Sequence, residues 1–487
     1  MQGLHIRLNH RETPGEVSPV STGHLCASRC ARAEKAHLVR ICLYILFFIA
    51  VCLLRSEHSV ANPFDNFGLG SRSAAMGNAM TAVADDFSAS LYNPAGLVDA
   101  GQMELSIGYF HAQPTLETFW ADTWWDVEED TTSGIVCGLV FPPFKVFDLK
   151  FVGGMGLHLP DKRVARSLML PYEQPRFEMY GARNQRTVVY SPNAIEIFPW
   201  LSIGAGFQMF IDTTGGPAFE LIQDVPSNIG KFSEGTISST QKPRFFPFAG
   251  ILVKPLKGLN LGFCFRDKQE ITLDIPMVVM IEELFGGLVP ASTIDLSTPA
   301  PLFFSPRQYA WGISWRPIDR LLLAMDVTYM EWSEFINPGP DGYTLYYGGL
   351  AILLRQNPNF HLPQGDFDNI WVPAVGMEYC VLNRHHVELF LRTGYRYRPS
   401  PVPEQTGRAA FLDSNTHIIT GGVGLTFKNV IKRIMKEPFS VDLHVQYFHL
   451  EEREYTRDLL VAISDRFGDI RFRGRLINLG ITTTFRF

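Results

Sequence analysis

From Ile477 to the C-terminus the odd positions read Ile477, Leu479, Ile481, Thr483, Phe485 and Phe487, while the even ones read Asn478, Gly480, Thr482, Thr484 and Arg486. A chain with period two can present one greasy and one polar face only as a β-strand. The same alternation appears in Val441, Leu443, Val445 and Tyr447 against Asp442, His444 and Gln446, and in Val387, Leu389, Leu391, Tyr395 and Tyr397 against Glu388, Arg392, Gly394 and Arg396. It appears again in Leu323, Met325, Val327 and Tyr329 against Ala324, Asp326 and Thr328. Counting such segments gives about fourteen, near 103–110, 133–141, 151–159, 187–197, 200–211, 245–254, 259–272, 307–316, 321–331, 371–381, 386–398, 415–427, 438–450 and 471–487. An even number suits a closed antiparallel sheet. The connections alternate: Pro199, Pro255–Gly258, Pro317–Arg320 and Leu382–His385 are tight, whereas 111–132, 160–186, 212–244, 273–306 and 332–370 are long. Short turns on one side and long loops on the other are the habit of a transmembrane β-barrel.

A soluble sandwich or propeller also alternates, but its second face packs into a core. Here the non-greasy face carries Gly, Arg, Glu, Asp and Thr, which suit a wet lumen. Aromatics at strand ends, Tyr309, Trp311, Trp315 and Trp332, fit interfacial girdles. With 46% hydrophobic and 19% charged residues, the 487-residue chain is too apolar for disorder and too charged for a helical membrane bundle. A net charge of −6 supplies no basic field for nucleic acid. There is no Gly-x-Ser-x-Gly elbow, His-Glu-x-x-His pair, phosphate loop or metal-spaced cysteine pair, so no enzyme activity, cofactor or metal is expected.

Residues 1–61 read as an extended leader. Its apolar core, Ile41–Leu54, is short of the roughly 20 residues a membrane helix needs and fits a signal-peptide h-region. Ser59-Val60-Ala61 supplies small residues for cleavage before Asn62; the alternative is a membrane anchor. Four cysteines lie in the leader, leaving Cys137, Cys264 and Cys380 too scattered for a disulfide framework or zinc site.

Residues 62–102 do not alternate; they are rich in Gly, Ala, Ser and Asn and read as a small compact piece, for which a plug in the lumen is one use. From here the chain resembles the FadL outer-membrane transport family, which includes TodX-type hydrocarbon channels. The resemblance rests on GLGSRSAAMGNAMTAVADDFSASLYNPAGL (68–97), where Asp85, Asp86, Asn93, Pro94 and Ala95 match the family's hatch pattern. It rests also on SPRQYAWGISWRPIDRLLLAMDVTYMEWSEF (305–335), on LRTGYRYRPSPVP (391–403) and on the terminal Phe487. It implies a fourteen-stranded antiparallel barrel (103–487) with an N-terminal hatch (62–102) inside the lumen, in the outer membrane of a Gram-negative cell. It further implies passive uptake of long-chain fatty acids or other hydrophobic compounds, by way of an apolar loop groove, a lumen pocket and hatch-gated release. A monomer among outer-membrane lipids and lipopolysaccharide, assembled through Phe487 by the barrel-assembly machinery, completes the expectation.

Local residues agree. Met277–Ala291 is unusually apolar for a loop and able to form a short greasy helix, with Met277, Val278, Val279, Met280, Leu284, Phe285 and Leu288 as candidates for the apolar groove. Arg266, Arg316, Arg392 and Arg396 fall on the polar face and are candidate lumen cations for a carboxylate. The alternative is that they pair with Glu378, Glu388, Asp326 and hatch carboxylates. Asn93-Pro94-Ala95-Gly96 forms a turn that either fixes the hatch against the wall or simply leads into the first strand. Asp85-Asp86 either anchors the hatch through wall arginines or backbone amides, or ends a solvated turn. A general porin and a structural or secretion-partner barrel remain as alternatives.

Overall fold

The computed structural model describes residues 63–487 except 121, 128, 162–174, 178, 181–185, 215–216, 225–228, 238–239, 282–291, 336–341, 349–350, 352–356, 361–365, 408–410, 429–436 and 459–468. The leader, with its h-region and cleavage site, lies outside the described residues.

The wall is fourteen antiparallel strands. They are β1 (Glu104–Trp120), β2 (Thr132–Val140), β3 (Leu149–Pro160), β4 (Val188–Phe198), β5 (Leu201–Thr214), β6 (Thr240–Leu256) and β7 (Leu259–Arg266), then β8 (Gln308–Ile318), β9 (Leu321–Met330), β10 (Ile370–Asn383), β11 (Val387–Arg398), β12 (Thr416–Phe427), β13 (Phe439–Tyr455) and β14 (Ile470–Arg486). Each pairs with its neighbours in order, and β1 pairs with both β2 and β14, which closes the barrel and leaves no free edge. The alternation sets the facing. Ile477, Leu479 and Ile481 are 45%, 51% and 42% exposed on the outside, whereas Asn478 and Thr482, on the other parity, are buried. The same parity leaves Leu443, Val445 and Tyr447 outside and Asp442, His444 and Gln446 inside. An apolar belt therefore faces outward, with Trp311, Trp371 and Tyr329 clustered on it at ring separations of 5.9 and 4.8 Å.

The expected tight turns fall at one end of the barrel, between β4 and β5, β6 and β7, β8 and β9, and β10 and β11. The other end departs from expectation, because most of the long connections contain strand. β1 extends to Trp120 and turns back through Thr123–Val127. Pro217–Asp224 and Ile229–Ile237 form a hairpin within 212–244. The expected strand 259–272 ends at Arg266; the chain resumes at Gln269–Ile281, which pairs with Ser292–Ser305, then Gly342–Gly348 and Asn357–Phe360, as a separate four-stranded sheet. Met277, Val278, Val279 and Met280 are thus in a strand and not a helix, for a physical reason: Ile271, Ile275, Val278, Val279 and Ile281 are β-branched and prefer a pleated partner. Leu284, Phe285 and Leu288 lie outside the described residues. Trp332 also departs from expectation. It is buried against Phe304, 5.2 Å between ring centroids, and is not part of an outer girdle.

Residues 63–99 fold as short turns of helix, Pro63–Phe67, Ser71–Ala75 and Ala89–Tyr92, followed by a 3-10 turn Pro94–Asp99. Almost all of the segment is buried. Inward-facing side chains from β3 round to β14 meet it, beginning with Lys150 of β3, which donates to the Val98 carbonyl at 2.5 Å.

Candidate functional site

The N-terminal segment buries Phe64, Phe67, Leu69, Met76, Met80 and Phe87 in the lumen, but its helical turns are too short to satisfy their own backbone, so the wall does so. Thr420 Oγ1 donates to the Ala75 carbonyl at 2.8 Å and Gln446 Nε2 to that of Ala74 at 3.0 Å. Ser314 Oγ and Asn260 Nδ2 both donate to the Ala82 carbonyl, at 2.9 and 3.2 Å. Asp326 accepts from Thr81 twice, from the amide at 2.8 Å and the hydroxyl at 2.7 Å. Asn93 does the most. Its side-chain oxygen accepts from the Ala95 amide at 3.1 Å, capping the 3-10 turn that Pro94 opens. Its Nδ2 donates to the Thr81 carbonyl at 2.8 Å and to the Ile251 carbonyl of β6 at 3.0 Å. Asn93→Ala removes all three bonds and is expected to cost about 1–3 kcal/mol of local stability. Faster hydrogen exchange at residues 81–97, with the wall unchanged, is the measurement that checks it.

A buried charge cluster ties the segment to β10. Arg72 Nε donates to Glu378 at 2.9 Å, Arg72 Nη1 to Asp85, and Asp86 lies 3.6 Å away. Glu378 also accepts from Arg392 at 2.8 Å, and Arg392 donates to Asp442 at 2.5 Å. Burial works against the Arg72 charge, but Asp85, Glu378 and Asp86 outweigh it and hold the guanidinium well above its ordinary pKa. Burial raises the Asp85 carboxyl, and Asp86 adds to this, against the pull of Arg72. The cation that meets Asp85 and Asp86 therefore belongs to the segment itself and not to the wall; Asp86 also accepts from the Ser88 amide at 2.8 Å.

Above this cluster, Asp65 and Asn66 form a second junction. Arg396 Nη2 donates to the Asp65 carbonyl at 2.5 Å and Arg398 Nη1 to Asn66 Oδ1 at 2.8 Å. Asn66 Nδ2 donates to the Met179 carbonyl of the β3–β4 connection at 2.6 Å. Asp65 accepts from Ser305 at 2.5 Å and Gln308 at 2.8 Å, with Arg266 at 3.4 Å. Here a cavity of about 50 Å³ is lined by Asp65, Tyr92, Arg266, Gln308, Asp326 and Arg396, among others. At about 10–15 Å³ per water it holds a few waters and no long-chain molecule.

The four candidate arginines thus separate. Arg392 is locked by two carboxylates, Arg316 is exposed at the short-turn end, and only Arg266 and Arg396 reach the cavity. Arg398, which sequence reasoning missed, binds Asp413 at 2.8 Å and shares their interior.

Also missed was an apolar layer in the long-loop half of the lumen. Phe110, Phe448, Phe472 and Leu476 project inward from the wall there, all buried. Phe335 and Phe367 stack 4.3 Å apart, Phe411 meets them edge-on at 5.7 and 5.4 Å, and Arg176 sits 4.2 Å over the Phe411 ring. One signal was legible: Phe245-Phe246-Pro247-Phe248 is apolar on both faces, which a strand bordering only water inside does not need.

One break in the wall pairing lies beside the N-terminal segment. Pairing of β3 with β4 runs to Gly153↔Asn193, skips Gly154 and Met155, and resumes at Gly156↔Tyr190. Pro192, which has no N–H to give, stands opposite the gap, and Leu97 lies behind Gly154.

Residues 196–487 match the profile of a family described as outer membrane protein transport protein (OMPP1/FadL/TodX). Alkane uptake protein A of Marinobacter nauticus is 21% identical over 424 residues, covering 82% of this chain and 86% of its own length. Two crystal structures share the fold at 14% identity and a TM-score of 0.51. A Pseudomonas aeruginosa FadL homologue matches over 86% of this chain and 98% of its own, and the P. putida toluene transporter TodX over 86% and 99%.

Proposed function

Because this chain belongs to the outer membrane protein transport family (OMPP1/FadL/TodX), we propose that it is a passive channel for long-chain hydrophobic compounds, fatty acids or hydrocarbons, across the outer membrane. The observation that carries this reading is the apolar layer: a lumen for water-soluble solutes is lined by polar groups, whereas this one has Phe110, Phe448, Phe472 and Leu476 turned inward near its long-loop end. An open diffusion porin is a poor fit to a lumen in which residues 64–98 are almost all buried and hydrogen-bonded to the wall.

Residues 62–102 act as the hatch. Cargo gathers on the apolar stretch that includes Met277–Met280 and passes into the aromatic layer, and a carboxylate head, where there is one, is met by Arg266 or Arg396. Release is sideways. The gap between Gly154–Met155 of β3, which stay paired with β2, and Pro192 of β4 is a seam in the wall, and movement of Leu97 away from it uncovers a lateral path. The chain works as a monomer among outer-membrane lipids and lipopolysaccharide, with Phe487, exposed at the end of β14, read by the assembly machinery.

Lipid mass spectrometry on protein purified from outer membranes, comparing wild type with a variant carrying Gly/Ser in place of 277–291, tests this. A defined hydrophobic species is expected with the wild type and lost with the variant. No bound species together with ohmic conductance would sink the reading in favour of a porin, and neither signal would leave a structural partner.

A further inference from the structure

The wall strands carry glycine at the points where the N-terminal segment comes closest, and these glycines are register partners. Gly250 of β6 pairs with Gly204 of β5, Gly312 of β8 with Gly262 of β7, and Gly394 of β11 with Gly376 of β10. All six face inward onto three short stretches of the segment. A Cβ on Gly204 or Gly250 would overlap Ala95 or Asn93. One on Gly262 or Gly312 would overlap Thr81, and one on Gly376 or Gly394 would overlap Met76 or Gly77. Every approach is under 3.0 Å, closer than real Cβ atoms come. Gly422 of β12 meets Ala75 in the same way, with the Leu443 carbonyl of β13 equally close, at 2.5 Å. Glycine weakens a strand interior and lowers its β-propensity, so three cross-strand pairs on one face need a reason in packing. Here the reason is that backbone packs on backbone: the carbonyls of Met76 and Thr81 reach the wall itself.

We propose that the three glycine pairs are the closing device of this channel, setting the depth at which the N-terminal segment seats. A side chain added at any pair lifts the segment off the wall and lets water through while the barrel stays folded. The inference concerns closure and not cargo, so it stands or falls apart from the identity of the transported compound.

Two adjacent residues of β12 supply a matched test. Gly422 faces the segment, whereas a Cβ on Gly421 would meet only the Arg392 carbonyl at 3.9 Å. Gly422→Val and Gly421→Val make the same change of β-propensity on opposite faces. Together with Gly262→Val and Gly376→Val they are reconstituted as full-length barrels, whose folding is checked by heat-modifiable gel mobility, and conductance is recorded in planar bilayers. The three inward variants are expected to conduct on the order of tenfold or more above wild type, as an unplugged lumen does, with Gly421→Val unchanged. Where a valine variant does not assemble, alanine at the same position supplies the reading, with a smaller rise. Folded inward variants that conduct like wild type, or a Gly421→Val rise equal to theirs, would overturn the proposal.

Discussion

Arg72→Met is expected to release the N-terminal segment from the wall at a cost of about 3–5 kcal/mol, the range for removing one partner of a buried ion cluster. Asp85 and Asp86 lose their common cation, and Glu378 keeps only Arg392. The effect has a pH signature. Arg72 is what pulls the Asp85 carboxyl down against burial, so without it the folded-state pKa of Asp85 rises further above its unfolded value. The folded state then holds the proton more tightly than the unfolded one. Stability therefore falls as pH rises through this range and is partly regained in acid. Exchange protection of residues 71–86 measured at acidic and neutral pH checks the sign. A loss of the same size at both would show that the charge cluster is not what holds the segment. Adding Asp85→Asn should restore part of the loss, because it removes one of the uncompensated carboxylates.

Phe411→Ala is expected to be nearly as costly, about 3–5 kcal/mol for emptying a filled aromatic site. The ring is fully buried where Phe335, Phe367 and the Arg176 guanidinium converge, and with Val402 and Leu412 it anchors the β11–β12 connection. Its loss leaves a dry void at the long-loop end of the lumen. Thermal stability should drop, while uptake of a hydrophobic fluorophore into proteoliposomes should rise because the packed layer no longer has to part. An unchanged uptake rate with lowered stability would make the layer a structural cap and not the route.

Fourteen strands, their facing and their closure were legible because a membrane barrel writes its structure locally: each outward residue meets lipid, each inward one meets the lumen, and a one-residue slip reverses both. The parity of Ile477 and Asn478 needed no partner to be read. The long-loop end was less legible. Met277–Met280 read as a greasy helix because hydrophobicity alone does not choose between helix and strand; the choice fell to Ser292–Ser305, some twenty residues away, which offers a pairing edge. Trp332 read as a girdle residue because a strand-end tryptophan is equally suited to the interface and to an aromatic interior. Arg266, Arg392 and Arg396 are inside the barrel and Arg316 is exposed at its short-turn end; which of them are neutralised depends on Glu378 and Asp442 of distant strands and on Asp65 of the N-terminal segment.

The sequence by itself determined the barrel and its strand number, since alternation and turn spacing act over a few residues. Only the tertiary structure decided how the lumen is filled: that Arg72 of the segment, and not a wall arginine, meets Asp85, that glycine pairs admit the backbone of Thr81 and Met76, and that aromatic rings pack above. Each depends on residues tens to hundreds of positions apart meeting across a closed cylinder, and no local periodicity encodes which of them stand face to face.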